Sequence, residues 1–472
     1  MDCYFCKHTK YILLFLAIAS FLSLNSACFS SGAKKTQTKS TVLKPEITKP
    51  PQPPATIEKP EVIHPKETYT DKPKVTEPPV KIEIPEEVIP EKTIPTKSSI
   101  YKVAVMLPFS AGNYIPNAAN DSVPEASVIA LEFYEGLLLS FEKLKQEGVS
   151  LQVQVYDTEN NIATINQLLQ NPELKSADLI VGPIYNRELK PVANFAQQNH
   201  IYHLSPLSPS AAVTISNPYY LMASPSIEAQ CAAIYNHIAA KYGPKRIITI
   251  SSNKANETGL SNLFFHFKHL NKETREIQSH IPVSQIIYAN QSATEIEQYL
   301  SATEDNMIVV TSFDPLMVYD LSSKLNTLRS KYRITLYGMP NWLNFEMVEF
   351  EYFANLNLHI PQPFWQDKND VEYHTFKRSY ATNYKTSPSE YACRGYDLML
   401  WLGRTLYQHG KSFGAYPQEL NSKGIFTNFV FEPASANQYT SGSVLNRTDF
   451  LENKFVNILR YNPDFTFERV NK

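Results

Sequence analysis

From Tyr101 to the end, short apolar runs alternate with longer amphipathic stretches, and this alternation narrows the possible folds more than any other feature of the chain. "YKVAVMLPF" is an apolar run stopped by proline, and "VIALEFYEGLLLSFEKLKQEG" spaces its apolar residues as a helix does and closes on Gly148. "LQVQVYD", "ADLIVGP" and "HIYHLSPLS" repeat the short run, with helical stretches such as "ELKPVANFAQQ" between them. Strands apolar on both faces and joined by helices predict a doubly wound parallel sheet.

The series then starts again. "PSIEAQCAAIYNHIAAKYG" predicts a helix opening at Ser226, "KRIITIS" a strand and "GLSNLFFHFKHL" a helix. "SQIIYA", "NMIVVTS" and "RITLYGM" supply further strands, with "ATEIEQYL" and "LMVYDLSSKLNTL" between them. Two more helices follow over 371–384 and 390–410, and a final hairpin turns at Asn462-Pro463-Asp464. The expectation is an α/β protein of two wound lobes. The first lobe is read as roughly 101–225 and 358–410, the second as roughly 226–357 and 411–472. Ligands of open α/β sheets sit beyond the carboxyl ends of the strands. The candidate site is therefore the set of segments that follow each strand, with Ser110, Asn186, Arg187, Ser208, Ser210, Asn256, Ser312, Asn341 and Tyr391 as candidate ligand-binding residues. The turn at Gly182-Pro183 is either a ligand loop or a plain corner of the sheet.

Ahead of the lobes lies a different polymer. Residues 28–100 alternate proline with Lys, Glu and Thr ("KPEITKPPQPPATIEKPEVIHPK"), a composition that cannot bury enough apolar surface to offset the entropy of ordering. The segment reads as a disordered tether, and extended polyproline geometry at about 3.1 Å per residue gives it a reach of up to roughly 200 Å. It serves as a stalk or, on a narrower reading, as a proline-rich ligand for a partner domain. Residues 1–27 read as a signal peptide: Lys7 and Lys10, then the apolar "YILLFLAIASFLSL". "LNSAC" ends it in small residues before Cys28 and resembles a bacterial lipobox, with Leu24 one place earlier than that pattern has it. The resemblance implies acylation of Cys28 and a membrane-lipid partner. The expected location is the periplasmic side of a Gram-negative-type envelope, at the outer membrane.

From "KVAVMLPFSAG" to "YACRGYDLMLWL", by way of "VYDTENN", "IVGPIYNRELKPVANFA" and "IYHLSPLSPSA", the chain resembles the type 1 periplasmic binding proteins, in particular the leucine/isoleucine/valine-binding family. The resemblance covers roughly 101–410. It implies two hinged lobes and a small ligand whose carboxylate meets hydroxyls and backbone N–H groups after the Gly-Pro and Ser-Pro turns, where Ser208 and Ser210 stand here. Asn186 and Arg187 depart from the small serines of that pattern, Asn341 stands in place of its acidic residue, and Asn256 in place of its aromatic one. An amino acid would then lack its ammonium partner. The leading expectation is a lipid-anchored solute-binding protein serving ABC-type uptake of amino acids or related solutes. The alternative comes from another protein of this fold, an outer-membrane lipoprotein that regulates a peptidoglycan synthase by contact, with a degenerate cleft. The partner is then a small molecule or an envelope protein.

Other chemistries find little support. Net charge is −2, so no global basic field argues for nucleic acid. Cys3 and Cys6 fall in the leader, and Cys231 and Cys393 are either paired or two buried thiols. His200 with His203 and His266 with His269 lack the converging ligands a metal needs and are expected to be solvated. No cofactor and no enzymatic activity are expected.

Overall fold

The computed structural model describes residues 100–114, 123–270, 277–346, 349–415, 417–435 and 448–471. The leader, Cys28 and the proline-rich segment up to residue 99 lie outside the described residues.

The first lobe begins with β1 (Tyr101–Leu107), α1 (Glu125–Gln146), β2 (Leu151–Asp157), α2 (Ile162–Leu168), β3 (Leu179–Val181), α3 (Asn186–Gln198), β4 (Tyr202–Ser205) and β5 (Tyr220–Met222). The chain then crosses into the second lobe. There it forms α4 (Ile227–Tyr242), β6 (Ile247–Ser251), α5 (Ala255–Leu263), the small pair β7 (His269–Leu270) and β8 (Ile277–Ser279), and β9 (Val283–Ile287). These are followed by α6 (Ala293–Glu297), β10 (Asn306–Val310), α7 (Pro315–Leu328), β11 (Ile334–Tyr337), α8 (Phe350–Asn355) and β12 (His359–Gln362). It returns through α9 (Val371–Tyr384) and α10 (Glu390–His409) to β13 (Ser422–Lys423), β14 (Asn428–Phe429), β15 (Phe431–Ala434) and β16 (Phe450–Asn453). A last crossing leads to β17 (Asn457–Tyr461) and β18 (Phe467–Arg469).

Each lobe is built on a seven-stranded sheet. The first has the order β15-β16-β5-β4-β3-β1-β2 and the second β18-β17-β12-β11-β10-β6-β9. The two share one core topology, since β2-β1-β3-β4-β5 and β9-β6-β10-β11-β12 are the same parallel winding. Val103 pairs with Leu179 in the first sheet and Met307 with Ile247 in the second, at the point where each winding reverses direction. These strands are covered on both faces, and β6 and β10 are buried throughout. Each fully buried aliphatic side chain contributes about 1.5–3 kcal/mol. The second lobe has one core, including Ile248, Ile308, Leu336 and Trp342. The first lobe's main core joins β1, β3 and α1 to Leu398, Trp401 and Leu402 of α10.

The sheets correct the expected lobe boundaries. β12, expected in the first lobe, pairs with β11 and β17 in the second sheet. β15 and β16, expected in the second lobe, pair with one another and with β5 in the first sheet. The physical reason is that three crossings, over residues 223–226, 363–370 and 454–456, carry the chain between the lobes. The first two leave the carboxyl ends of β5 and β12, and β16 runs parallel to β5, so the third leaves the same edge of the first sheet. The carboxyl edges of both sheets therefore converge on the crossings.

Two local expectations change as well. The helix expected over 259–270 ends at Leu263, and His269 lies in β7. His203, expected to be solvated, is fully buried in β4. Cys231 and Cys393 are both buried and free.

Candidate functional site

Pro108 ends β1, and Ser110 beyond it takes a left-handed backbone (φ 53°). Such a conformation costs a non-glycine residue about 1–3 kcal/mol unless neighbours impose it. Asp157, at the end of β2, imposes it. Its carboxylate accepts the backbone N–H of Ser110 at 2.9 Å, of Ala111 at 2.8 Å and of Glu159 at 2.9 Å. Glu257 does comparable work in the second lobe. It is buried in the first turn of α5 and accepts the Ser252 hydroxyl at 2.6 Å and the Phe313 N–H at 3.1 Å, tying the end of β6 to the end of β10. In both lobes a carboxylate occupies strand-end N–H groups of the kind that would otherwise receive an anion.

The loop after β3 turns on Gly182, with φ 90°, a left-handed conformation suited to glycine. A Cβ there would be driven into the carbonyl oxygen of Met106. The Gly182 carbonyl accepts from Nε2 of His203 at 2.7 Å, which fixes that nitrogen as the protonated one. Burial holds His203 neutral, pushed down to about 4. Glu188, in the first turn of α3, is fully buried and neither carboxyl oxygen reaches a hydrogen-bond partner. Burial pushes it up to about 7, with the Arg187 charge opposing the rise and the Asp157 charge adding to it.

The expected residues divide between the two edges. Asn186 and Arg187 are exposed on α3, and Arg187 turns back to Asn160, with Nε on the side-chain oxygen at 3.1 Å and Nη2 on the carbonyl at 2.6 Å. It pins the loop after β2 and neither plugs a cleft nor offers a free cation. Ser208 is buried and its hydroxyl accepts the Ser210 N–H at 3.2 Å, while Ser210 is half-buried. Tyr391, half-buried in the first turn of α10, lies near Tyr185 at the start of α3. Burial raises both phenols, and each is raised further by Glu125. At the second sheet's edge, Asn256 is exposed on α5. Ser312 is fully buried; its hydroxyl accepts the Asp314 N–H at 3.1 Å and its carbonyl the Trp342 indole N–H at 2.9 Å. Trp342 is thus a core residue of the second lobe, stacked on Phe353. Asn341 is half-buried, with a side-chain oxygen that is buried and without a partner. Asp314 caps α7 and pairs with Lys254 at 3.0 Å.

The structure thus gathers Ser110, Asn186, Arg187, Ser208, Ser210 and Tyr391 at the carboxyl edge of the first sheet, and Asn256, Ser312 and Asn341 at that of the second. Hydroxyls, amides and tyrosines dominate the two edges. Glu257 and Glu188 were missed from the sequence; the available signal was a carboxylate in the first turn of a helix leaving a strand end. Among the described residues no group of three or more His, Cys, Asp or Glu is placed to hold a metal ion, and no helix is long and apolar enough to cross a membrane.

Two like-wound sheets joined by three crossings define the class: the chain has the type 1 periplasmic binding protein fold. Residues 137–329 match the family described as the receptor family ligand binding region. An ABC transporter substrate-binding protein from Desulfitobacterium hafniense overlays with a TM-score of 0.51 at 15% identity, over 79% of this chain and 100% of that one. The complex of such a protein from the same organism with Leu overlays at 0.50, with the same identity and coverage. An ABC transporter substrate-binding protein from Sphaerobacter thermophilus overlays at 0.50 and 14% identity, over 79% of this chain and 97% of that one. No curated protein matches the sequence.

Proposed function

We propose that this chain is a solute-binding protein of the cell envelope, held to a membrane through an acylated Cys28, whose interlobe cleft takes a small molecule for ABC-type uptake. The observation that carries this reading is the convergence of both carboxyl edges on three crossings, the position at which open α/β sheets take their ligands. The similar solved structures named as ABC transporter substrate-binding proteins support it. On this reading Ser110, Ser208, Ser210, Asn186 and Tyr391 meet the ligand from one lobe and Asn256 and Asn341 from the other, while the fully buried Ser312 supports the second edge from beneath. Amides stand in the amine-facing positions, so the ligand is an amino-acid relative without a demanding α-ammonium. Thermal-shift and calorimetric titrations with amino acids, short peptides and muropeptides test this. A saturable shift lost in the Ser208→Ala, Asn341→Ala double variant supports it, and no shift across all three sets counts against it.

One observation favours a second reading. The N–H groups of Ser110, Ala111 and Phe313 are already spent on Asp157 and Glu257, as expected of a cleft no longer tuned to an anion. On this reading the folded body, tethered by its proline-rich segment, regulates a peptidoglycan synthase through protein contacts. Its test is stimulation of a purified bifunctional synthase by this protein in a glycan-polymerisation assay.

A further inference from the structure

The turn between β13 and β14, together with β14 itself (residues 424–429), is tied on two sides. Asp397, buried in the middle of α10, accepts the backbone N–H of Ile425 at 2.8 Å, of Phe426 at 3.1 Å and of Thr427 at 3.2 Å. The turn's opposite side grips the second crossing. The Thr427 hydroxyl donates to the Pro363 carbonyl at 2.8 Å, the Trp365 N–H donates to the Phe426 carbonyl at 2.9 Å, and the Phe364 and Phe426 rings stack 5.4 Å apart. Asn453, just before the third crossing, donates to the Asn428 carbonyl and to the Ala223 carbonyl of the first crossing, both at 3.2 Å. One turn above Asp397, Arg394 donates to the Ser224 hydroxyl, again in the first crossing, and pairs with Glu390 at 3.1 Å.

The first crossing is thus fastened to α10 and the second to this turn, and Asn453, the last residue before the third, holds the turn as well. A cavity of about 30 Å³, lined among others by Pro206, Pro363, Arg394 and Phe426, lies between them. A hinge works by letting a few element-terminal residues absorb large backbone rotations. Here Ser224 of the first crossing is held by α10, and Pro363 and Trp365 of the second by the turn that Asp397 of α10 carries. Rotating the lobes breaks buried, partly charge-assisted bonds or carries the whole strap along.

We propose that residues 424–429 form a strap which, anchored to Asp397 and hooked over the second crossing through Thr427 and Phe426, fixes the opening angle of the two lobes. The strap acts whether or not the cleft holds a ligand. The lobes therefore stand at one angle in the free protein, and movement requires the strap to let go of Pro363 and Trp365.

The test places spin labels on non-natural side chains at positions 186 and 256 of the full chain, one on each lobe and both exposed. Pulsed dipolar distances are then compared among the wild type, Thr427→Val, Asp397→Asn and the control Thr375→Val, whose hydroxyl bonds only within α9. A single narrow distribution is expected for the wild type and control, and one broadened roughly twofold or split for Thr427→Val and Asp397→Asn. A wild type that is already broad, or a Thr427→Val distribution that superimposes on the wild type, overturns the proposal. Should Asp397→Asn fail to fold, the milder Thr427→Val decides.

Discussion

Asp157 receives the backbone N–H of Ser110 at 2.9 Å, and that one bond holds a serine in a backbone conformation serines seldom adopt. Asparagine at position 157 keeps one acceptor where the carboxylate has two and turns an N–H₂ toward the remaining amides. Asp157→Asn is therefore expected to lose roughly 2–3 kcal/mol, measured by urea denaturation. Glu257→Gln is expected to lose a similar amount in the other lobe. The two losses should add to within about 0.5 kcal/mol, because the residues share no partner.

Gly182→Ala tests the corner after β3. The new Cβ meets the Met106 carbonyl in a strand buried on both sides, and the left-handed backbone adds its own penalty. A loss above about 3 kcal/mol is expected, seen as a fall in Tm or in soluble yield. Wild-type stability in this variant would show that the corner relaxes.

The pH dependence of stability has a defined sign. Burial lowers His203 and His237 to about 4 and His359 to about 3. Below about pH 6.5 the unfolded chain takes up three protons that the folded chain refuses, so stability falls as pH drops. Glu188 at about 7 and Asp397 at about 6 act oppositely, holding protons in the fold that the unfolded chain releases. Between pH 6 and 5 the balance is close to one proton, a loss of about 1.4 kcal/mol per unit. Glu188→Gln removes one opposing group. The variant should be more stable than the wild type at pH 8, by roughly 1–3 kcal/mol, and should lose stability more steeply on acidification. Denaturation curves at several pH values read both effects.

The thiols offer a simple check on packing. Cys231 and Cys393 are buried and free, and burial pushes both thiols well above their ordinary range. Neither should react with a disulfide reagent in the native protein, and two additional thiols should titrate on adding denaturant. Fast native labelling at either position would contradict the packing around α4 or α10.

The alternation of elements was legible because it is written in local periodicity: β1, α1, β2 and β6 stand where "YKVAVMLPF", "VIALEFYEGLLLSFEKL", "LQVQVYD" and "KRIITIS" place them. Sheet membership was not, because pairing is a long-range choice. β16 is four residues, "FLEN", and nothing near it in sequence says that it lies beside β5, more than 200 residues away. β12 contains Pro361, which argues against a strand, yet pairs antiparallel with β17 through Pro361 and Ile458. His203 read as solvated because only the fold brings the Gly182 carbonyl to its ring. The strand-end loops of the candidate site followed from topology; the carboxylates that consume their N–H groups did not, since Asp157 and Ser110 are 47 positions apart.

The place of β16 between β5 and β15 also bears on how the protein is made. Until residue 453 has emerged, β5 is an unsatisfied border, and the first domain to be synthesised is among the last to close. Cutting the chain between its halves would yield no self-sufficient piece. The growing polypeptide would, by the same token, remain unsealed at this border until β16 is made.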